Sequence, residues 1–159
     1  MNIDIICVGK LKEKYFTDGV NEYKKRLSRF CKINIIEVPD LKIPENASEK
    51  QIAELLIKEG EGIFRCVKNN AYVIALCVEA KQMSSEEFAK TLKTLMDNSV
   101  SDIAFIIGGS MGLSEEVKKR ANLKLGISQM TLPHQMARLV LIEQIYRAFK
   151  ILNNETYHK

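Results

Sequence analysis

The stretch FIIGGSMGLS, residues 105–114, decides how the chain is read. An apolar run reaches Gly108 and Gly109, then Met111, Gly112 and Ser114, a residue suited to opening a helix. A strand feeding a glycine turn and then a helix is the grammar of a phosphate cradle. A P-loop, however, needs G-x-x-x-x-G-K-[ST]. Here Gly108 and Gly112 stand one residue too close, and no lysine follows. The dinucleotide fingerprint G-x-G-x-x-G fails on spacing too, and its ribose-binding acid would fall among Met130, Thr131 and Leu132. Two readings remain: a plain tight turn, or a turn that lets backbone approach a ligand closely.

Outward from this loop the chain alternates strand and helix. NIDIICV (2–8), KINIIEV (32–38), AYVIALCV (71–78), DIAFII (102–107) and LKLGIS (123–128) read as strands. The eight-residue run 71–78 has the continuous apolarity of a strand covered on both faces. Phe16, Val20, Tyr23, Leu27 and Phe30 form one helical stripe. The loop 39–47, with two prolines, breaks the chain before the next helix. Ser48 with Gln51 and Ser84 with Glu87 are capping boxes. They open helices carrying Ile52, Leu55, Leu56, Ile63 and Phe64, and then Phe88, Leu92, Leu95 and Met96. Ser114, Glu115 and Glu116 begin a short charged helix, and a long one follows Pro133 to about Leu152. The pattern predicts an α/β protein with a largely parallel sheet in a single domain, residues 1–159. In such sheets ligands bind beyond the carboxyl ends of the strands, which points to the loops after 71–78, 102–107 and 123–128.

Composition sets the outer bounds. A chain of 159 residues buries roughly 70% of its unfolded surface. Its apolar fraction of 46% and charged fraction of 28% are ordinary for a globular protein. No apolar run approaches the ~20 residues of a membrane span. The start MNIDIICVGK has no basic leader before its apolar run, so a cytoplasmic location is expected. The four cysteines, Cys7, Cys31, Cys66 and Cys77, are scattered singly; reduced structural thiols and no metal site are expected. Net charge is +4, with Lys10, Lys12 and Lys14 after the first strand and Lys24, Lys25, Arg26 and Arg29 on the next helix. That basic face suits RNA, or is simply solvated.

The last helix, HQMARLVLIEQIYRAFKIL, is apolar nearly all round, through Met136, Leu139, Val140, Leu141, Ile142, Ile145, Tyr146, Phe149, Ile151 and Leu152. Such a helix needs cover on every side. Either it runs through the middle of the core or a partner subunit covers the remainder, and a homodimer is the expectation.

Taken together, IIGGSMGLS, ISQMTLPHQMARLVLIEQIYRAFKIL and the terminal TYHK resemble the bacterial ribosomal RNA large-subunit methyltransferase H family, of the SPOUT class. The likeness spans the whole chain, including ALCVEAKQMSSEEFAK at 75–90. The resemblance implies a C-terminal trefoil knot, which periodicity does not reveal, and a homodimer packed through the last helix. It implies S-adenosylmethionine-dependent methylation of N3 of a pseudouridine in helix 69 of 23S rRNA, on assembled ribosomes. Cofactor contacts are implied at Leu76, Gly108, Ile127, Ser128, Gln129, Met130, Thr131 and Leu132. Leu76, Ile127 and Leu132 would be apolar walls, with loop backbone groups reading the adenine.

Methyl transfer from a sulfonium starts with an activated leaving group, so positioning is the protein's main contribution, on the order of 7–11 kcal/mol. The N3 proton must also leave. His158 is the candidate acceptor, with Tyr157 beside it to stack or hydrogen-bond, Arg147 to stabilise charge and Lys159 to assist. Without the resemblance, a terminal Tyr-His-Lys reads as a frayed end. His134 reads as a helix-start residue, and Arg138 either pairs with an acid across a dimer or faces RNA. The chain departs from the family at Ala80 and Asn154, both commonly glycine, at Gln129, commonly lysine, and at Leu132, commonly phenylalanine. The competing readings are a non-catalytic ribosome-binding assembly factor of the same fold and a small-molecule α/β enzyme.

Overall fold

A computed structural model describes all 159 residues. Five strands form one parallel sheet: β1 (Asn2–Val8), β2 (Lys32–Val38), β3 (Tyr72–Leu76), β4 (Asp102–Ile107) and β5 (Leu123–Leu125). Their order across the sheet is β2-β1-β4-β3-β5. The helices are α1 (Lys14–Leu27), α2 (Glu49–Cys66), α3 (Ser85–Asp97), α4 (Glu115–Arg120) and α5 (His134–Leu152). The order explains the hydropathy. β1 and β4 lie centrally and are buried from Ile3 to Val8 and from Ile103 to Ile107, so both read as apolar runs, broken in β1 only by Asp4, which accepts from Asn34 at 2.7 Å. β2, at one edge, alternates more, and Ile5 stands in register with both Ile35 and Phe105.

The sheet separates two cores. A larger one, with 23 buried residues, packs α1, α5 and α3 against one face; a smaller one, with 12, packs α2 and α4 against the other. The thin side explains why α2 buries only Ile63 of its predicted apolar residues, leaving Ile52, Leu55 and Leu56 half-buried and Phe64 at the surface. Both predicted capping boxes form, with Ser48 accepting from the Gln51 amide and Ser84 from the Glu87 amide. Ser114 caps α4 by accepting from Val117.

Several sequence expectations need correction, among them the strand read at 123–128, which is only Leu123–Leu125. The strand read at 71–78 is only Tyr72–Leu76, because β5 offers partners to Ile74, Ala75 and Leu76 alone. The chain then turns, with the Ala80 amide donating to Cys77 O at 3.1 Å. Phe30 falls beyond α1, where it stacks on Phe149 with centroids 5.4 Å apart. Finally, α5 gets most of its cover from its own chain. It lies between α1 and α3 over the sheet, with Leu141, Ile142, Ile145, Tyr146 and Phe149 buried. Its residual apolar exposure sits at Met136, 40% accessible, and in the half-buried Leu139, Val140, Ile151 and Leu152.

All four cysteines are free, and Cys66 alone is not buried. Burial pushes the Cys7 thiol up to about 12 and the Cys31 thiol to about 11, so both are inert packing groups. No helix is long and apolar enough to cross a membrane. No group of three or more His, Cys, Asp or Glu side chains is placed to hold a metal ion.

Candidate functional site

The loops after β3, β4 and β5 enclose a cavity of about 560 Å³ at the carboxyl ends of the strands. That is the size and place in which parallel α/β folds bind small ligands. Seven of the eight sequence-predicted cofactor residues line it: Leu76, Gly108, Ile127, Ser128, Met130, Thr131 and Leu132. Gln129 does not. The Ser128 hydroxyl accepts from the Met130 amide at 3.0 Å, turning the loop so that Met130 is 79% exposed at the rim.

The glycines have a more local reason than ligand approach. After Gly108 the chain doubles back, and the Gly112 amide donates to Gly109 O at 3.1 Å. A Cβ on Gly108 would stand 2.6 Å from Gly112 O. Gly112 itself has φ +80°, a left-handed conformation that favours glycine. Across the cavity, Gly126 is pinned to the loop after β3: its amide donates to Lys81 O at 3.1 Å, and a Cβ there would meet Ala80 O at 2.4 Å. Ala80 does not have a positive φ, so the methyl group is compatible with this turn.

Several lining residues escaped the sequence reading, among them Glu79, Lys118 and His134. Lys118 Nζ pairs with Glu79 at 2.7 Å at the cavity edge, a tertiary contact across 39 residues with no motif to announce it. His134, the first residue of α5, packs against Gly9, and its Nδ1 is buried with no hydrogen-bond partner. Burial, then the nearby Arg138 charge, holds its pKa below the usual histidine value. Arg138 is fully buried and stays within the chain, donating to Glu37 at 2.8 Å and to Gly9 O at 3.0 Å.

The cavity's chemistry suits S-adenosylmethionine. Leu76, Ile127 and Leu132 supply apolar walls, and Glu79, Ser110, Lys118 and Ser128 add polar residues to the lining.

The tail residues form a second cluster. Glu143 Oε1 accepts from Arg147 Nη2 at 2.6 Å, from Arg147 Nε at 3.1 Å and from the Tyr157 hydroxyl at 3.0 Å. The Arg147 guanidinium lies over the Tyr157 ring, 4.7 Å from its centroid, and Tyr146 meets that ring edge-on. His158 Nδ1 is 3.3 Å from Arg147 Nη1, and Nε2 is 2.7 Å from Glu86 Oε1. An arginine only donates, so Nδ1 is the acceptor and Nε2 carries the proton to Glu86. Burial, with Tyr23 and Glu143 alongside, raises the Tyr157 pKa, so its hydroxyl stays a donor.

The tail is held rather than frayed. Asn154 takes φ +53°, its amide donates to Ile151 O at 3.1 Å, and the Glu155 amide donates to Lys150 O at 2.9 Å. This is a Schellman motif, and asparagine is the residue best able to replace glycine at its left-handed position. Glu155 is further clamped by Arg29 and Lys150.

Within one chain the two clusters stay apart. His134 at the cavity and Arg147 at the tail are separated by 13 residues of α5, roughly 20 Å at 1.5 Å per residue.

The chain thus has a parallel sheet with a cavity at the carboxyl ends of its strands. Its fold is similar to that of a probable methylase family protein from Haemophilus influenzae Rd KW20 (TM-score 0.60, 15% identity, covering 99% of this chain and 70% of that one). It is also similar to a putative methylase family protein from Neisseria gonorrhoeae (TM-score 0.57, 14% identity, 99% and 86% covered). The family described as "Predicted SPOUT methyltransferase" matches residues 1–158. Proteins named ribosomal RNA large subunit methyltransferase H match over their full length and that of this chain. Those of Leuconostoc mesenteroides, Clostridioides difficile (strain 630) and Clostridium novyi (strain NT) are 57%, 55% and 58% identical. The chain therefore belongs to the SPOUT methyltransferases and, within them, to the ribosomal RNA large subunit methyltransferase H family.

Proposed function

We infer that this chain methylates large-subunit ribosomal RNA, transferring a methyl group from S-adenosylmethionine to N3 of a pseudouridine in helix 69 of 23S rRNA on assembled ribosomes. The observation that carries the reading is the gathering of seven predicted cofactor residues, from three separate loops, around one cavity. The cofactor supplies an electrophilic methyl group on a sulfonium. Leu76, Ile127 and Leu132 hold its apolar parts and the 127–132 loop orients it through backbone groups, as ligand positioning requires.

The reacting base is handled by the tail. Arg147, held by Glu143, has a permanent charge to stabilise the anion that develops as N3 loses its proton. Tyr157 donates a hydrogen bond or stacks on the base. His158 takes the proton on Nδ1 once the base displaces Arg147 from it, and Nε2–H stays on Glu86. Lys159 lies beside them in sequence and adds positive charge.

A homodimer follows from this division of labour. The cavity and tail lie at opposite ends of α5, so one complete site needs the tail of a second copy laid antiparallel through its α5. The half-exposed Met136, Leu139 and Val140 supply part of the apolar surface for that contact. The C-terminal trefoil knot belongs to the same reading. Gly126 meets the loop after β3 in backbone contact, and α5 would be threaded there. The enzyme would act in the cytoplasm, where ribosomes are.

Mass spectrometry of 23S rRNA from cells with and without this protein tests the reading. Loss of one methyl group on a helix-69 pseudouridine is expected, and identical modification profiles would refute it.

A further inference from the structure

The basic residues expected to form one face are in fact split between the two ends of α1. Lys10, Lys12 and Lys14 lie near the cavity end, where Gly9 meets His134. The other cluster lies about 21 Å away, at 1.5 Å per residue over the 14 residues of α1. There the end of α1, the start of β1 and the start of β2 enclose an open groove lined by Asn21, Lys24, Lys25, Ser28, Arg29 and Lys32 among others. Its lining contains four Lys or Arg residues and no Asp or Glu.

Charge alone would make this a solvated face, but three further observations distinguish it. First, the local acids are already spent: Glu22 holds Arg26 at 2.9 Å, and Glu155 is held by Arg29 and Lys150. Lys24, Lys25 and Lys32 are exposed and make no ion pair in the chain. Second, the groove offers no exposed apolar side chain: Ile33 and Cys31 are 6% and 7% accessible, and Met1 and Phe30 are half-buried against the core. A protein partner would lack an apolar anchor, and a membrane would lack a side chain to insert. Third, the groove adjoins the tail. Arg29 belongs to its lining and clamps Glu155, two residues before Tyr157, and the neighbouring Phe30 stacks on Phe149.

We propose that this groove binds the phosphate backbone of the RNA whose base the tail engages, with Lys24, Lys25 and Lys32 as the contacting cations. A row of unpaired lysines without base-reading geometry positions a polyanion and carries no sequence information. Its place beside Tyr157 and His158 fixes which base is presented. The inference rests on the ribosomal RNA reading above.

The test is co-sedimentation of the full chain with purified ribosomes across a potassium chloride series, alongside methyl transfer to the same ribosomes. The triple variant Lys24→Ala, Lys25→Ala, Lys32→Ala is compared with Lys50→Ala, Lys58→Ala, Lys119→Ala, which removes equal charge from α2 and α4. Arg29 is left intact because it holds the tail. The groove variant is expected to bind ribosomes at least tenfold more weakly at moderate salt. The slope of log affinity against log salt should fall by about 3, one per lost phosphate contact. The control should change little, and both variants should keep wild-type thermal midpoint and cofactor affinity. Wild-type affinity in the groove variant, or an equal loss in the control, overturns the groove alone. Groove-dependent ribosome binding without methyl transfer overturns the methyltransferase reading alone. A wild-type chain that ignores ribosomes but binds anionic phospholipid vesicles overturns both.

Discussion

Glu143 and Tyr157 are joined by a 3.0 Å hydrogen bond that folds the C-terminus back along α5. The same carboxylate oxygen holds Arg147, so one half-buried acid fixes two groups proposed to act on the substrate. Glu143→Ala should therefore lower methyl transfer to ribosomes by tenfold or more while leaving cofactor affinity unchanged. Comparing turnover with cofactor titration checks this. Glu143→Gln should recover part of the loss, since its amide oxygen still accepts one of these bonds.

His158→Ala should reduce turnover at saturating ribosomes by 10²-fold or more, the range of a general base. Cofactor binding at the distant cavity should stay normal. Normal turnover in this variant would remove the imidazole from the mechanism.

His134 makes stability depend on pH. Its folded pKa is lowered, chiefly by burial, from the ordinary value of about 6.5. The unfolded chain therefore takes up the proton more readily, and stability falls as pH drops through about 6.5 and below. Thermal midpoints measured from pH 7.5 to 5 should decline, and His134→Gln should flatten that decline.

Gly126 and Gly112 should respond very differently to alanine. Gly126→Ala drives a Cβ into Ala80 O, backbone against backbone, so a loss of 3 kcal/mol or more, about the upper range for overpacking, is expected together with loss of cofactor binding. Gly112→Ala meets nothing within 4 Å and bears only the left-handed φ, about 1 kcal/mol. Urea denaturation of both variants measures the difference.

Asn154→Gly should leave stability and turnover within error of wild type, because glycine adopts the same left-handed turn. Asn154→Val should release the tail, lowering turnover without altering cofactor affinity. Protease sensitivity near residue 154 reports the release directly.

The parallel α/β class was legible because strands covered on both faces must be largely apolar, as residues 103–107 are throughout and residues 3–8 are apart from Asp4. The helix starts at Ser48, Ser84 and Ser114 were legible because capping is local, set within four residues. The residues proposed to hold the cofactor were reached mainly through the family resemblance of the motifs, and the structure gathers seven of the eight around one cavity. Gly108 alone allowed a bare turn, and its contact with Gly112 gives that turn a steric cause.

What the sequence by itself determined was therefore periodicity, caps and motif identity, all carried by residues near one another in the chain. Tertiary structure alone decided the rest. It buried Arg138 against Glu37, 101 residues away, where sequence had left a dimer contact or an RNA contact open. It split one stretch of basic residues into two ends of a helix, and put the cavity and the tail roughly 20 Å apart on another. These outcomes depend on which elements pack side by side, and a helix 19 residues long separates its ends whatever chemistry each end carries.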